Sequence, residues 1–258
     1  MKTVLSYDGR FTGFLTCVFA TYEEKLEVVD IQPEQKASKL LFSDLQNIIT
    51  DEAKAARVAI AINRKCSASG RRNLYRAFLS EEPGIELIML KYLQYVFESN
   101  QKVDADFSHS AVLKISKMAK KVAREKHRME AFVRFKLTKD LLYFASIEPD
   151  FNVLPLIQEH FRKRYSNQKW IIYDFKRNYG LYFDLQEIKE IAIDFNRHFN
   201  YNTNNIAVFS EKEIEFQQLW KEYFTSTNIA SRKNLKLHLQ HVPRRYWKHL
   251  SEKSLLHN

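Results

Sequence analysis

Cysteine is almost absent from this chain: two of 258 residues, Cys17 and Cys66. Two distant thiols exclude a disulfide scaffold, a four-cysteine zinc site and a cysteine-held iron–sulfur cluster. Both lie in apolar or helical surroundings, so they read as buried free thiols of a reducing compartment. Glycine is scarce as well. The five glycines, at positions 9, 13, 70, 84 and 180, spell neither GxGxxG nor a Walker loop, which removes the commonest routes to a nucleotide cofactor. No apolar run approaches the ~18 residues of a membrane span. The opening MKTVLSYDGRF has no apolar stretch of the kind a secretion signal needs. The expectation is a cytoplasmic protein with no membrane association. Acid is also in deficit: 31 Asp and Glu stand against 41 Lys and Arg, giving a net charge of +10.

What is present is apolar bulk and positive charge. Apolar residues make up 45% of the chain, with 19 Phe and 13 Tyr, enough to place most of those rings in a packed core. The charge excess attracts polyanions. Nucleic acid is the commonest of these in a cell, with an acidic protein or a membrane surface as rivals.

The hydrophobic pattern predicts an α+β fold: a mainly helical N-terminal half with short opening strands, then a mostly antiparallel β-β-α-β-β sheet with packed helices, then a helical basic tail. Residues 3–7 and 26–31 read as strands around a helix from Phe11 to Tyr22. Ser43 is placed to cap a helix running to about Arg64, and further helices are expected over 71–79, 85–97 and 109–129. Alternation from Phe132 to Leu137 predicts a strand, paired through Thr138-Lys139-Asp140 with 141–147. Asn152 then caps a helix to Tyr165 with Pro155 in its first turn. A second hairpin joins 170–175 and 179–183, a strand follows within 186–193, and a helix within 211–224. The change of character near residue 131 divides the chain into 1–130 and 131–258, either two domains or one continuous body.

Five constellations carry candidate chemistry. Between His109 and Met129 seven cations face only Glu125 and Glu130, and Lys117, Lys121, Arg124 and Arg128 recur at helical spacing on one face. That face either grips a polyanion or is simply solvated. The tail segment Pro243–His249 interleaves Arg244, Arg245 and Lys248 with Tyr246 and Trp247. Its cations suit phosphates and its rings suit exposed bases, unless the rings dock on the core. Arg134 and Lys136, with Arg162, Lys163 and Arg164 and then Arg177, could line a groove or be ordinary surface. The acidic set Glu148, Asp150, Asp174 and Asp184 contains Pro149-Asp150 and Asp174-Phe175-Lys176, a loose match to the PD…(D/E)xK pattern. A metal-dependent nuclease needs two such carboxylates on a divalent metal and a lysine beside the attacked phosphate. Asp150 and Asp174 are therefore candidate ligands, Lys176 the candidate lysine, and Mg or Mn the ion that only this reading calls for. Equally, Asp150 and Asn152 suit a helix start. Last, His238, His241 and His249 could ligate zinc but lack HExxH or paired cysteines, so they read as phosphate-facing or surface groups.

Several stretches together resemble one family: Tyr7-Asp8-Gly9 with Gly13-Phe14, RAFLSEEPG from Arg76, FVRF from Phe132, IEPDFNVLPLI from Ile147, HFRKRYSNQKWIIYD from His160 and RRYWKHLSE from Arg244. The set is similar to a bacterial family described as acting in DNA repair or DNA metabolism and containing a domain of unknown function. Its members are typically encoded beside a radical-SAM protein, and some are fused to a uracil-DNA-glycosylase-like domain. The resemblance implies DNA as a partner and a radical-SAM protein as the enzyme acting with it, since this chain cannot hold that cluster itself. It implies no catalytic residues. No segment here resembles the glycosylase domain. The sequence thus leads to a DNA-handling protein without a cofactor of its own, with a metal-dependent nuclease and a protein-interaction scaffold as the other two readings.

Overall fold

The computed structural model describes residues 2–37, 43–193 and 242–250. Among them are six α-helices and two sheets, a mixed α/β protein. The chain divides into two compact units, 1–124 and 125–258.

In the first unit, strand β1 (Lys2–Tyr7) sits between β2 (Glu27–Pro33) and β3 (Asp44–Asn47), both parallel to it. The central strand is buried from Thr3 onward, as a strand covered by helices on a parallel sheet must be. Helix α1 (Phe11–Glu23) links β1 to β2 and buries Phe14, Leu15 and Val18. The turn before it uses Gly9 at φ +81°, which glycine adopts without strain. Gly13 is required for space: a Cβ there would lie 2.2 Å from Asp8 Oδ1, whose carboxylate already accepts from Arg10 N–H and the Thr50 hydroxyl. Helices α2 (Glu52–Lys65), α3 (Ala68–Phe78) and α4 (Ile85–Glu98) follow. Asp51 caps α2 by accepting from Ala53 and Lys54 N–H, and Ser67 caps α3 by accepting from Gly70 N–H. The helix expected with Ser43 as its cap therefore begins eight residues later, capped by Asp51. Residues 44–47 join the edge of β1, because pairing with an otherwise open strand satisfies backbone groups that a helix start would leave to water. Cys17 and Cys66 are buried and free, and burial, with the Asp8 charge behind it, pushes the Cys17 thiol up to about 12.

Helix α5 (Ser110–Phe132) contains the boundary between the units. It ends at Phe132, the first residue of the expected strand, and after an irregular stretch over 133–135 β4 is only Lys136–Leu137. The second unit's sheet runs β4-β5-β6-β7-β8, with β5 (Tyr143–Ile147), β6 (Trp170–Asp174), β7 (Tyr179–Phe183) and β8 (Ile188–Ile191). Three pairings are antiparallel, but β5 and β6 are parallel. Helix α6 (Leu154–Arg164) connects those two strands, and a helical crossover returns the chain in the same direction. Every residue of β6 is buried, so this strand is the core of the unit. Trp170 packs with Phe161 of α6 and Phe183 of β7, while Ile171 and Tyr173 pack with Phe144, Leu142 and Tyr182. Pro155 does sit in the first turn of α6, but Asn152 is not its cap. The Asn152 side-chain oxygen accepts from the Tyr179 hydroxyl instead. The expected 211–224 helix and most of the basic tail lie outside the described residues; of the tail, Arg244–His249 form a short 3-10 helix. No described helix is long and apolar enough to cross a membrane.

Candidate functional site

The acidic residues that resembled a nuclease pattern fold into the corner of a hairpin. Asp174 ends β6 and is fully buried. One of its oxygens accepts from Lys176 N–H at 2.9 Å, and the other accepts from the Arg177 guanidinium at 2.8 Å. Burial pushes its carboxyl above the ordinary value, against the pull of Arg177 and the turn amides. Lys176 Nζ donates to the Asp150 carbonyl at 3.0 Å, and Arg177 donates to the carbonyls of Pro149 and Asp150 at 3.2 Å. The structure does bring Asp150, Asp174 and Lys176 together, but as a clasp that fastens the β6–β7 turn to the loop before α6. Asp184 does similar work in the next turn. It accepts from Gln186 and Glu187 N–H, and these bonds hold its carboxyl down at about 2. Glu148 is half-buried and also engaged. Among the described residues no three His, Cys, Asp or Glu side chains are grouped to hold a metal ion.

A second cluster centres on Glu125, one of the two acids counted against the α5 cations. Glu125 is buried, at 1% exposure. It accepts from Asp150 N–H at 2.9 Å and from the Tyr246 hydroxyl, which lies 2.6 Å from each carboxylate oxygen. Arg245 Nη2 donates to the Tyr246 oxygen at 2.6 Å and lies 2.6 Å from Asp150 Oδ2, with its guanidinium over the Tyr246 ring. Arg128 adds a weaker pair to Glu125 at 3.6 Å. Tyr246 is buried against Phe132, and burial, followed by its bond to Glu125, raises its pKa. His249 meets Ser146 of β5 at 3.2 Å. The basic-aromatic segment thus uses its tyrosine and one arginine to dock on its own unit.

Three proposed phosphate contacts are removed from that role or weakened in it by this geometry. Arg177 is enclosed by Asp174 and two carbonyl bonds, Arg245 is turned to Asp150 and Glu125, and Arg128 leans toward Glu125. Arg244 remains exposed, with its guanidinium 5.9 Å from the half-buried Trp247 ring. Arg162 pairs with Glu159, while Lys163 and Arg164 are exposed. Arg134 is half-buried and donates to the Ala131 and Val133 carbonyls. Lys136 lies in β4, half-buried and engaged.

The α5 row keeps its charge open. Lys117, Lys120, Lys121 and Arg124 are all exposed, and none has an acidic partner among the described residues. The helix's own acids do not neutralise them. Glu125 faces inward, and Glu130 is held by Lys126 at 2.6 Å.

A family model described as a domain of unknown function (DUF4130) matches residues 83–252, about two thirds of the chain. No curated protein and no solved structure matches.

Proposed function

Because the chain belongs to the DUF4130 family, whose shared domain is described as one of unknown function, we infer its role from charge and burial: it is a DNA-binding protein that grips phosphates with the exposed face of α5. The observation that carries this reading is the row Lys117, Lys120, Lys121 and Arg124, four exposed cations with no acidic partner among the described residues. Like charges three and four residues apart on a helix repel, at about 0.2–0.5 kcal/mol per pair. A polyanion laid along the row removes that cost. The row is about 10 Å long at ~1.5 Å per residue, and duplex DNA carries a charge every ~1.7 Å of its axis, so about two turns of helix meet several phosphates. Such contacts position nucleic acid and do not read its sequence.

The nuclease reading has less support. A catalytic carboxylate must reach metal and water, and Asp174 is closed off with both oxygens engaged. The resemblance of the sequence to proteins encoded beside a radical-SAM enzyme supports a division of labour in which this chain holds DNA and the partner supplies the chemistry.

Fluorescence anisotropy of labelled single- and double-stranded DNA, titrated with the full chain in EDTA across a salt series, tests the reading. Replacing Lys117, Lys121 and Arg124 together by Gln should lower the slope of log K against log salt by about 2–3. The melting behaviour should be unchanged, since exposed substitutions stay within about 0.5 kcal/mol. Arg245→Gln should leave the slope where it was. An unchanged slope in the triple variant, or no binding at about 50 mM salt, would remove the α5 row from the function.

A further inference from the structure

Beside the second unit's sheet lies an open groove of about 460 Å³, lined by Val133, Arg134, Phe135, Tyr143, Tyr165 and Gln168. We propose that it receives one unpaired base of a single DNA strand. The proposal rests on the DNA-binding reading above and goes beyond it, from phosphate contact to a seat for the base itself.

Three of the six lining residues, Phe135, Tyr143 and Tyr165, are aromatic, and the rings of Phe135 and Tyr165 are braced by packing. Phe135 stands edge-on to Tyr165 at 5.1 Å and to Phe161 at 5.8 Å, and Phe161 stacks parallel to Tyr165 at 6.1 Å. A flat guest therefore meets rings already held in place, which reduces the ordering cost of binding. The volume lies inside the ~300–1,000 Å³ range of small-ligand sites. The groove is also polar at defined points. The Tyr143 and Tyr165 hydroxyls and the Gln168 side-chain amide have no hydrogen-bond partner among the described residues. An amide offers a donor and an acceptor side by side, which suits the edge of a base.

Charge separates this guest from an apolar peptide side chain. No acidic residue lines the groove, and Arg134 does. The Arg164 guanidinium lies 5.8 Å from the Tyr165 ring, and Lys163 and Lys169 are exposed, with no acidic partner among the described residues. Cations at the end of α6 also suit the negative end of its dipole, but that explains neither Lys169 nor the aromatic lining of the groove. Base against aromatic ring, with the flanking phosphates against Arg and Lys, is the arrangement by which single strands are held without sequence preference.

The test compares three labelled strands of equal length on the full chain: oligothymidylate, oligodeoxyadenylate, and a strand in which every base is replaced by an abasic tetrahydrofuran unit. The phosphates are the same in all three. The base-bearing strands should bind about 5- to 150-fold more tightly than the abasic one. Tyr143→Ala should erase that difference without changing the salt slope, and Tyr143→Phe, which keeps the ring, should preserve it. Circular dichroism of both variants verifies that the fold is intact. Equal binding of abasic and base-bearing strands, with the slope still set by α5, would overturn the groove while leaving DNA binding in place. A base preference that survives Tyr143→Ala would also overturn it. Failure of all three strands to bind would overturn both.

Discussion

Replacing Tyr246 by phenylalanine removes one oxygen and keeps the ring. That oxygen donates to Glu125, with both carboxylate oxygens at 2.6 Å, and accepts from Arg245 at 2.6 Å. A hydrogen bond to a charged group contributes about 1.5–3 kcal/mol. Glu125 is not stranded by the change, since Asp150 N–H remains at 2.9 Å and Arg245 at 3.4 Å. The packing on Phe132 is unaffected. The expected loss is therefore near the middle of that range, about 2 kcal/mol. With an unfolding entropy of about 2.1 cal/mol/K per residue, the unit spanning 125–258 should melt about 7 °C lower. Calorimetry of the full chain is the assay, with the melting of the second unit followed as its own transition because two units need not unfold together. A double-mutant cycle with Glu125→Gln should return a coupling of roughly 1 kcal/mol or more, as for residues sharing one hydrogen-bond network. A shift under about 2 °C, or no coupling, would refute the idea that residues 244–249 are clasped to Glu125 in solution.

Two further outcomes separate structural from functional roles. Asp174→Asn removes the charge facing Arg177, whose side chain is 9% exposed; breaking a buried pair costs about 3–5 kcal/mol, so the variant should melt well below the parent, and an undiminished melting temperature would restore Asp174 to the candidate catalytic set. Glu86 is buried under the Tyr7 hydroxyl, and that burial raises its pKa above the ordinary 4.5. Between 4.5 and its folded value the native state holds more protons than the unfolded chain, so stability falls as pH rises through that interval and is level above it. In Glu86→Gln that fall should shrink in pH-dependent denaturant titrations, leaving the part due to Asp174, whose carboxyl is also raised by burial, and persistence of the full slope would assign it to another group.

Much of the fold was legible wherever the side chains of one segment decide its structure. Helices α1, α4 and α5 show their buried stripes in the spacing of Phe, Leu, Val and Ile, and β6 and β7 show themselves through β-branched and aromatic runs around Arg177-Asn178. Strand β3 was not legible. Asp44-Leu45-Gln46-Asn47 has no alternation because its side chains are largely exposed, and only the open edge of β1 makes it a strand. The same holds for Asn152, a good cap by residue type whose oxygen is taken by Tyr179, 27 residues on. Lys117, Lys121 and Arg124 were readable as a row on α5 from their spacing, but Arg128, read with them, leans to Glu125, and Lys120 takes its place in the open row. The openness of the row was not readable, because it depends on where Glu125 points, and Glu125 is fixed by Tyr246, 121 residues away.

Aspartate two residues before lysine is a pattern that two different structures satisfy. At a metal centre both carboxylate oxygens look outward to an ion, and the lysine to a phosphate. At a strand end the same spacing lets the carboxylate accept the amide two residues on, which is what Asp174 does with Lys176. Burial and the third residue decide between them. Here the next residue is Arg177, which fills the remaining carboxylate oxygen and ties the turn to Pro149 and Asp150, leaving no lone pair aimed at solvent from a side chain of 0% exposure. The same test acts in the opposite direction on α5. Lys117, Lys120, Lys121 and Arg124 have a pattern no more specific than DxK, but burial and partnering leave them open. On α5 the charges that the fold leaves uncompensated among the described residues are positive, and the proposed assignment follows them.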